Sequence, residues 1–191
     1  CVMSLITLGG LGFIVMDDVL SKRNFKSLTV HSKVVILASA ALVITGTVFF
    51  RLIELNNPDT LANLSYADQW LASMFQAVTP RTAGFNTLPL EKVEDSSLFL
   101  LVIMMVIGAS PASTGGGIKT TTLAVILMST WAVLRGRNDI VIFERRISKK
   151  AVNKAFTILV LTLILISSVT MVISAIEEMP NSQVLFEVAS A

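Results

Sequence analysis

The sequence is short of the residues on which most soluble scaffolds and enzymes are built. It has one cysteine in 191 residues, Cys1, so no internal disulfide can form. Its one histidine, His31, lies in a basic loop. There is no Cys-His cluster, no pair of catalytic carboxylates and no Ser-His-Asp set, so neither metal-assisted nor nucleophilic catalysis has a constellation to work with. Charge is scarce too. Only 15% of residues are Asp, Glu, Lys or Arg, against roughly a quarter in a soluble domain. The formal net charge of +2 gives no reason to expect a nucleic acid or another polyanion as partner.

What fills the chain instead is apolar: 53% of residues are hydrophobic and the mean hydropathy is +0.76. The composition predicts an all-α integral membrane protein that faces lipid. Residues 1–16 are apolar and rich in glycine (Gly9, Gly10, Gly12). They lack the basic start and the cleavage site of a secretory leader and read as the end of a transmembrane helix. A polar stretch over 17–33 comes next, with Lys22, Arg23, Lys26 and Lys33. Residues 34–53 are nearly all apolar, and twenty residues rising about 1.5 Å each cross roughly 30 Å of hydrocarbon.

An Asn- and Pro-containing loop over 54–65 ends at Ser65. Ser65 and Asp68 have capping-box spacing and open an amphipathic helix through Trp70, Leu71, Met74, Phe75 and Val78. Pro80 ends it. At about 14 residues it is too short to span, so it reads as a buried or re-entrant segment. Residues 98–107 form an unbroken apolar run worth half a membrane. The run Gly108-Ala109-Ser110-Pro111-Ala112-Ser113-Thr114-Gly115-Gly116-Gly117 breaks it, and the helical pattern resumes over 118–134. Backbone groups freed at that depth must line a cavity or lie against protein. Residues 135–154 carry seven basic residues, 155–176 form a second span, and the chain stops within 184–191. A start and an end inside apolar runs suggest a piece of a longer chain.

Segments 22–33 and 135–154 hold eleven of the fifteen Lys and Arg residues, which predicts both to be cytoplasmic. Residues 54–95 carry six acids against Arg81 and Lys92, and Glu177, Glu178 and Glu187 come after the second span, so these segments are expected outside. Tyr66, Trp70, Trp131 and His31 fall where interfacial anchors belong, and the eight methionines read as lipid-facing or packing residues. A faint repeat pairs residues 74–80 with 185–191, each after a spanning helix and an acidic loop. The unit is a spanning helix, a dipping helix and a second spanning helix.

Two motifs carry chemistry. Thr82, Ala83, Gly84, Phe85 and Asn86 come after the deep end of the dipping helix, whose unpaired carbonyls favour a cation. Carbonyl oxygens of an extended strand there can replace an ion's hydration shell. This stretch resembles a degenerate T-V-G-Y-G filter of potassium channels and is more similar still to the Ktr/Trk/HKT superfamily. Residues 108–122 resemble the Ktr pattern G-G-S-P-G-S-T-G-G-G-I-K-T-T-T, departing at Ala109 and Ala112. The resemblance is nearest to the Ktr (NtpJ-type) membrane subunit.

That resemblance implies four repeats of helix, re-entrant pore helix and helix (M1-P-M2, as in potassium channels) around one pore in a multi-pass plasma-membrane protein. The end of the second repeat and a linker would occupy 1–30, and a complete third repeat 31–135 (spanning helix 34–53, pore helix 66–79, filter 80–87, broken helix 98–134). A cytoplasmic basic linker would occupy 136–154 and the start of the fourth repeat 155–191. It implies potassium as permeant ion, with sodium as the alternative, and no bound cofactor. It further implies a homodimer of the full subunit with a cytosolic ring of RCK-type nucleotide-binding subunits. The residue 108–117 loop would gate the pore, and alanine at 109 and 112 implies a stiffer loop.

Lys119, just past the break, reads equally as a source of pore electrostatics and as a tether to loop carbonyls. Arg81, beside the filter motif, reads as a structural residue paired with an acid or carbonyls behind it. Two other readings stay open: a cation-coupled secondary transporter with a broken helix at the midplane, and a structural membrane subunit. A phosphate-binding loop is excluded, because Ile118 separates Gly117 from Lys119 and an apolar half-helix precedes the glycines.

Overall fold

The computed structural model describes residues 2–136, 141–142, 145–177 and 179–191. Cys1, Arg137 of the basic linker and Glu178 of the acidic tail lie outside the described residues. The described residues form eight α-helices: α1 (Val2–Leu11), α2 (Phe13–Lys22), α3 (Val30–Glu54), α4 (Tyr66–Val78), α5 (Asp95–Val106), α6 (Thr120–Leu134), α7 (Lys149–Ile176) and α8 (Asn181–Ser190). A two-residue antiparallel ladder between β1 (Val141–Ile142) and β2 (Arg145–Arg146) lies between α6 and α7 in the chain. The architecture is otherwise all-helical.

Two helices are long and apolar enough to cross a membrane, α3 with 25 residues and α7 with 28. Both outrun their apolar stretches because polar residues cap them. Thr29 accepts a hydrogen bond from the Ser32 amide at 3.3 Å, and Ser148 does the same for Ala151 at 3.3 Å. Asp18 fixes the entry to α3, accepting from the Thr29 amide at 2.8 Å and the Thr29 hydroxyl at 2.9 Å while pairing with Lys22 at 2.7 Å.

The opening segment departs from a single helix through residue 16. α1 and α2 meet at 96°, and Gly12 at the corner has φ +88°, a conformation that a side chain resists. α2 then carries helical structure to Lys22, into the stretch that reads as linker in the sequence.

Lipid is as apolar as a leucine side chain, so helices in a membrane associate through close packing and hydrogen bonds rather than through escape from water. Gly46 of α3 supplies such a close approach. A Cβ there would stand 2.5 Å from Met104 Sδ of α5 and 3.2 Å from the Ala77 Cβ of α4. α4 and α5 are thereby pressed onto one long apolar helix. Phe50, Leu61, Val93, Leu98 and Leu101 form the apolar cluster toward the C-terminal end of α3.

Above that cluster sits Glu54, fully buried. Its carboxylate accepts from Asn57 Nδ2 at 2.7 Å, the Thr60 hydroxyl at 2.6 Å and the Glu94 amide at 2.9 Å, just before α5 begins. A buried carboxylate with three donors is satisfied, and it ties the outer loop to the end of α3 and the start of α5. On the same side Arg51 lies over the rings of Tyr66 and Trp70, 5.0 and 4.7 Å from their centroids, and donates to Gln69 at 3.1 Å. α7 is buried only at Ala155, so nearly its whole surface is open to lipid or to further protein.

Candidate functional site

α4 begins where the capping box places it: the Asp68 amide donates to Ser65 Oγ at 3.3 Å, and that hydroxyl donates to Asp68 Oδ2 at 2.7 Å. It ends at Val78, and a turn closes through the Ala83 amide on Thr79 O at 3.1 Å. The segment beyond that turn is not the extended strand expected from Thr82 onward. Thr82 has φ +65° and Gly84 has φ +69°, whereas Ala83 and Phe85 have negative φ. In a β-strand successive peptides face opposite sides. Alternating the sign of φ turns every second peptide over, so that consecutive carbonyls can point the same way.

Hydrogen-bond accounting separates the carbonyls of this segment. Arg81 O accepts from the Thr82 hydroxyl at 2.6 Å, and Phe85 O accepts from the Thr79 hydroxyl at 2.6 Å. Among the described residues no donor reaches the carbonyl oxygens of Thr82, Ala83 or Gly84. Asn86 O has no donor among the described residues either, so four oxygens of Thr82–Asn86 stay free, three of them consecutive, while Phe85, which the motif counts with them, has its carbonyl engaged. Thr82, Ala83, Gly84 and Asn86 line a cavity of about 690 Å³ shared with Gln76 of α4, Gly116 and Gly117 of the loop, Thr162 of α7 and Glu187 of α8. The negative end of α4 points at the start of this segment.

The loop between α5 and α6 lies directly against the segment, since a Cβ on Gly115 would stand 2.9 Å from Thr82 Oγ1. The loop folds back on itself through Ala109 N to Gly116 O at 3.2 Å and Ile118 N to Val106 O at 2.9 Å. Gly108 and Gly117 cross backbone to backbone: a Cβ on Gly117 would lie 2.8 Å from the Gly108 Cα. These glycines permit a crossing inside the loop rather than helix packing. Ser110 is fully buried, with its hydroxyl 3.0 Å from that of Thr120 and its carbonyl accepting from Ser113 at 2.6 Å.

Lys119 donates to Gly115 O at 2.5 Å, so its ammonium holds the loop residue that touches Thr82. Arg81 is 3% exposed, and its Nη2 donates to Ser39 Oγ of α3 at 3.0 Å. Its contact is thus a hydroxyl, where the sequence suggests an acid or carbonyls. Among the described residues Arg81 Nε and Nη1 have no partner, and neither amide atom of the fully buried Gln76 has one.

The sequence reading misses the mooring of the loop to the α1–α2 corner. Ser110 N donates to Gly10 O at 3.0 Å, and Phe13 N donates to Ala112 O at 3.1 Å. The only signal for it is the cluster of glycines at 9, 10 and 12. Ala112, which stands where the family pattern has glycine, has φ +56°. Among the described residues no group of three or more His, Cys, Asp or Glu side chains could hold a metal ion.

The family described as "TrkH: Cation transport protein" matches residues 1–191. The chain is 38% identical over 189 residues to the Ktr system potassium uptake protein B of Vibrio alginolyticus, covering 98% of this chain and 42% of that protein. It is 38% identical over 194 residues to the potassium/sodium uptake protein NtpJ of Enterococcus hirae, covering 43% of it. In fold it is similar to the crystal structure of the potassium transporter TrkH from Vibrio parahaemolyticus, with a TM-score of 0.78 at 16% identity over 98% of this chain and 41% of that one. The chain thus spans about two fifths of the length of these relatives.

Proposed function

The chain belongs to the TrkH family of cation transport proteins, integral proteins of the plasma membrane that are not enzymes, and we propose that it contributes one complete quarter of a potassium-conducting pore. In this reading the residue 31–135 segment is the third of four repeats, residues 1–30 end the second and residues 155–191 begin the fourth. A potassium ion, or a sodium ion in its place, enters from the acidic outer side and loses water against the carbonyls of Thr82, Ala83 and Gly84, with Asn86 at the rim. It then passes the loop of residues 108–117, which acts as the gate. The membrane potential supplies about 2.3 kcal/mol per charge per 100 mV, so no cofactor chemistry is needed in this chain.

One observation carries the reading: three consecutive residues whose carbonyls have no donor among the described residues follow the negative end of a non-spanning helix and line a cavity of about 690 Å³. Unpaired backbone oxygens at membrane depth are costly unless they line a hydrated or ion-bearing path. A homodimer of the full subunit regulated by a cytosolic ring of RCK-type subunits completes the proposal, with the basic linker over 136–154 facing that ring.

The test is rubidium-86 uptake by the full-length protein in a potassium-uptake-deficient bacterium, comparing wild type with Gly84→Ser. A Cβ at Gly84 meets nothing within 4 Å but falls at φ +69°, so the substitution strains the carbonyl row without a steric collision. Lost uptake or relaxed potassium-over-sodium preference at normal membrane abundance is expected. Unchanged uptake and preference would remove the filter and leave the broken-helix transporter as the leading reading.

A further inference from the structure

Arg81 presents a charge problem that the proposed pore does not use. The residue is 3% exposed, its guanidinium touches a neutral hydroxyl at Ser39, and among the described residues Nε and Nη1 have no partner. The two ion pairs among the described residues are Lys22–Asp18 and Lys92–Asp59, and neither involves it. Arginine keeps its proton in proteins, so a whole positive charge is held in the protein interior with no acid paired to it among the described residues. The next residue in the chain is Thr82, the first of the three consecutive residues with free carbonyls, and the Thr82 hydroxyl bonds back to Arg81 O at 2.6 Å. One residue thus serves two contacts: the guanidinium reaches to α3 while the carbonyl accepts from the first residue of the proposed filter segment.

An intramembrane charge is expensive, and its position is informative when it borders an ion path. We propose that Arg81 is a specificity-determining residue of the filter: fixed by Ser39 behind the first filter residue, its uncompensated charge disfavours divalent cations more than monovalent ones. The proposal rests on the filter reading above. The physics is simple, because Coulomb energy scales with the product of the charges and an ion of charge +2 feels twice the repulsion of an ion of charge +1. If neutralising Arg81 tightens monovalent binding by a factor n, divalent binding tightens by about n squared. A role confined to packing has no reason to produce that relation.

The experiment uses the full-length protein in proteoliposomes and measures half-saturation for rubidium and the inhibition constant for barium, a divalent ion close to potassium in size. Arg81→Gln is expected to lower the first n-fold and the second by about n squared, whereas Arg81→Lys keeps both near wild type. Ser39→Asp places an acid beside the guanidinium without removing it, and it is expected to reproduce the Arg81→Gln pattern even where that variant accumulates poorly. Equal factors for rubidium and barium, or identical behaviour of Arg81→Lys and Arg81→Gln, would overturn the proposal. They would mean that a group elsewhere in the subunit already neutralises Arg81. Gly84→Ser run alongside separates the levels: if it shifts selectivity while the Arg81 relation fails, the filter stands and only this inference falls, and if Gly84→Ser is silent both fall.

Discussion

The carbonyl oxygen of Pro111 lies 2.5 Å from the point where a Cβ on Gly12 would stand, so the loop that interrupts one helix is seated in the corner that interrupts another. Two backbone hydrogen bonds flank this contact, from Ser110 to Gly10 and from Phe13 to Ala112. Gly12→Ala adds both a collision with a backbone oxygen and a side chain in a positive-φ, extended region that is essentially confined to glycine, at a cost of at least about 1–3 kcal/mol. The expected result is a lower unfolding temperature in detergent together with rubidium leak under conditions that close the wild type. An unchanged melting curve would mean that the corner yields freely.

Ala112 points the other way. It is held at φ +56° in a position where glycine meets no Cβ penalty. Ala112→Gly should relieve up to about 1 kcal/mol of strain, raising thermal stability, while hydrogen exchange of the amides around Ser110 becomes faster because the loop gains freedom. Slower exchange together with lower stability would contradict the strain.

Lys119 is the loop's second restraint, through Gly115 O. Lys119→Met should free Gly115 from the Thr82 contact and raise basal uptake, and Lys119→Arg, which can still donate, should stay close to wild type. If Lys119→Met and Lys119→Arg change uptake alike, the hydrogen bond is not what holds the loop.

Gly46 is tested by overpacking. Gly46→Val drives two methyl groups toward Met104 and Ala77, and inserted bulk of this kind costs about 1–3 kcal/mol. Membrane abundance should fall, and adding Met104→Ala should restore much of it because the far end of Met104 is the nearer obstacle. Failure of the second substitution to rescue would place the strain on α4 instead.

Periodicity and length are enough to read the helices of this chain. α4 begins at the Ser65 cap and ends just before Pro80, both readable as local chemistry. The 10-residue apolar run before Gly108 announces a break because it is half a membrane long. Less legible is anything set by a contact distant in sequence. Gly12 turns a corner that no hydropathy window registers, since residues on both sides of it are apolar. The reach of Arg81 to Ser39 spans 42 positions and has no local signature. The Thr82–Asn86 stretch is recognisable as a motif, yet its alternating φ signs are a property of the folded backbone, as is the engagement of Phe85 O by Thr79.

The length of α7 reaches beyond its own segment. Its 28 residues at about 1.5 Å each reach about 42 Å, against roughly 30 Å of hydrocarbon. The surplus stands in the headgroup region and beyond it, where Lys149, Lys150 and Lys154 are grouped near one end. A rod that outreaches its slab adjusts by tilting when the slab thins or thickens, and α8 packs against both α7 and α5. α8 therefore sits between a helix whose tilt answers to lipid chain length and one, α5, too short to span the hydrocarbon by itself.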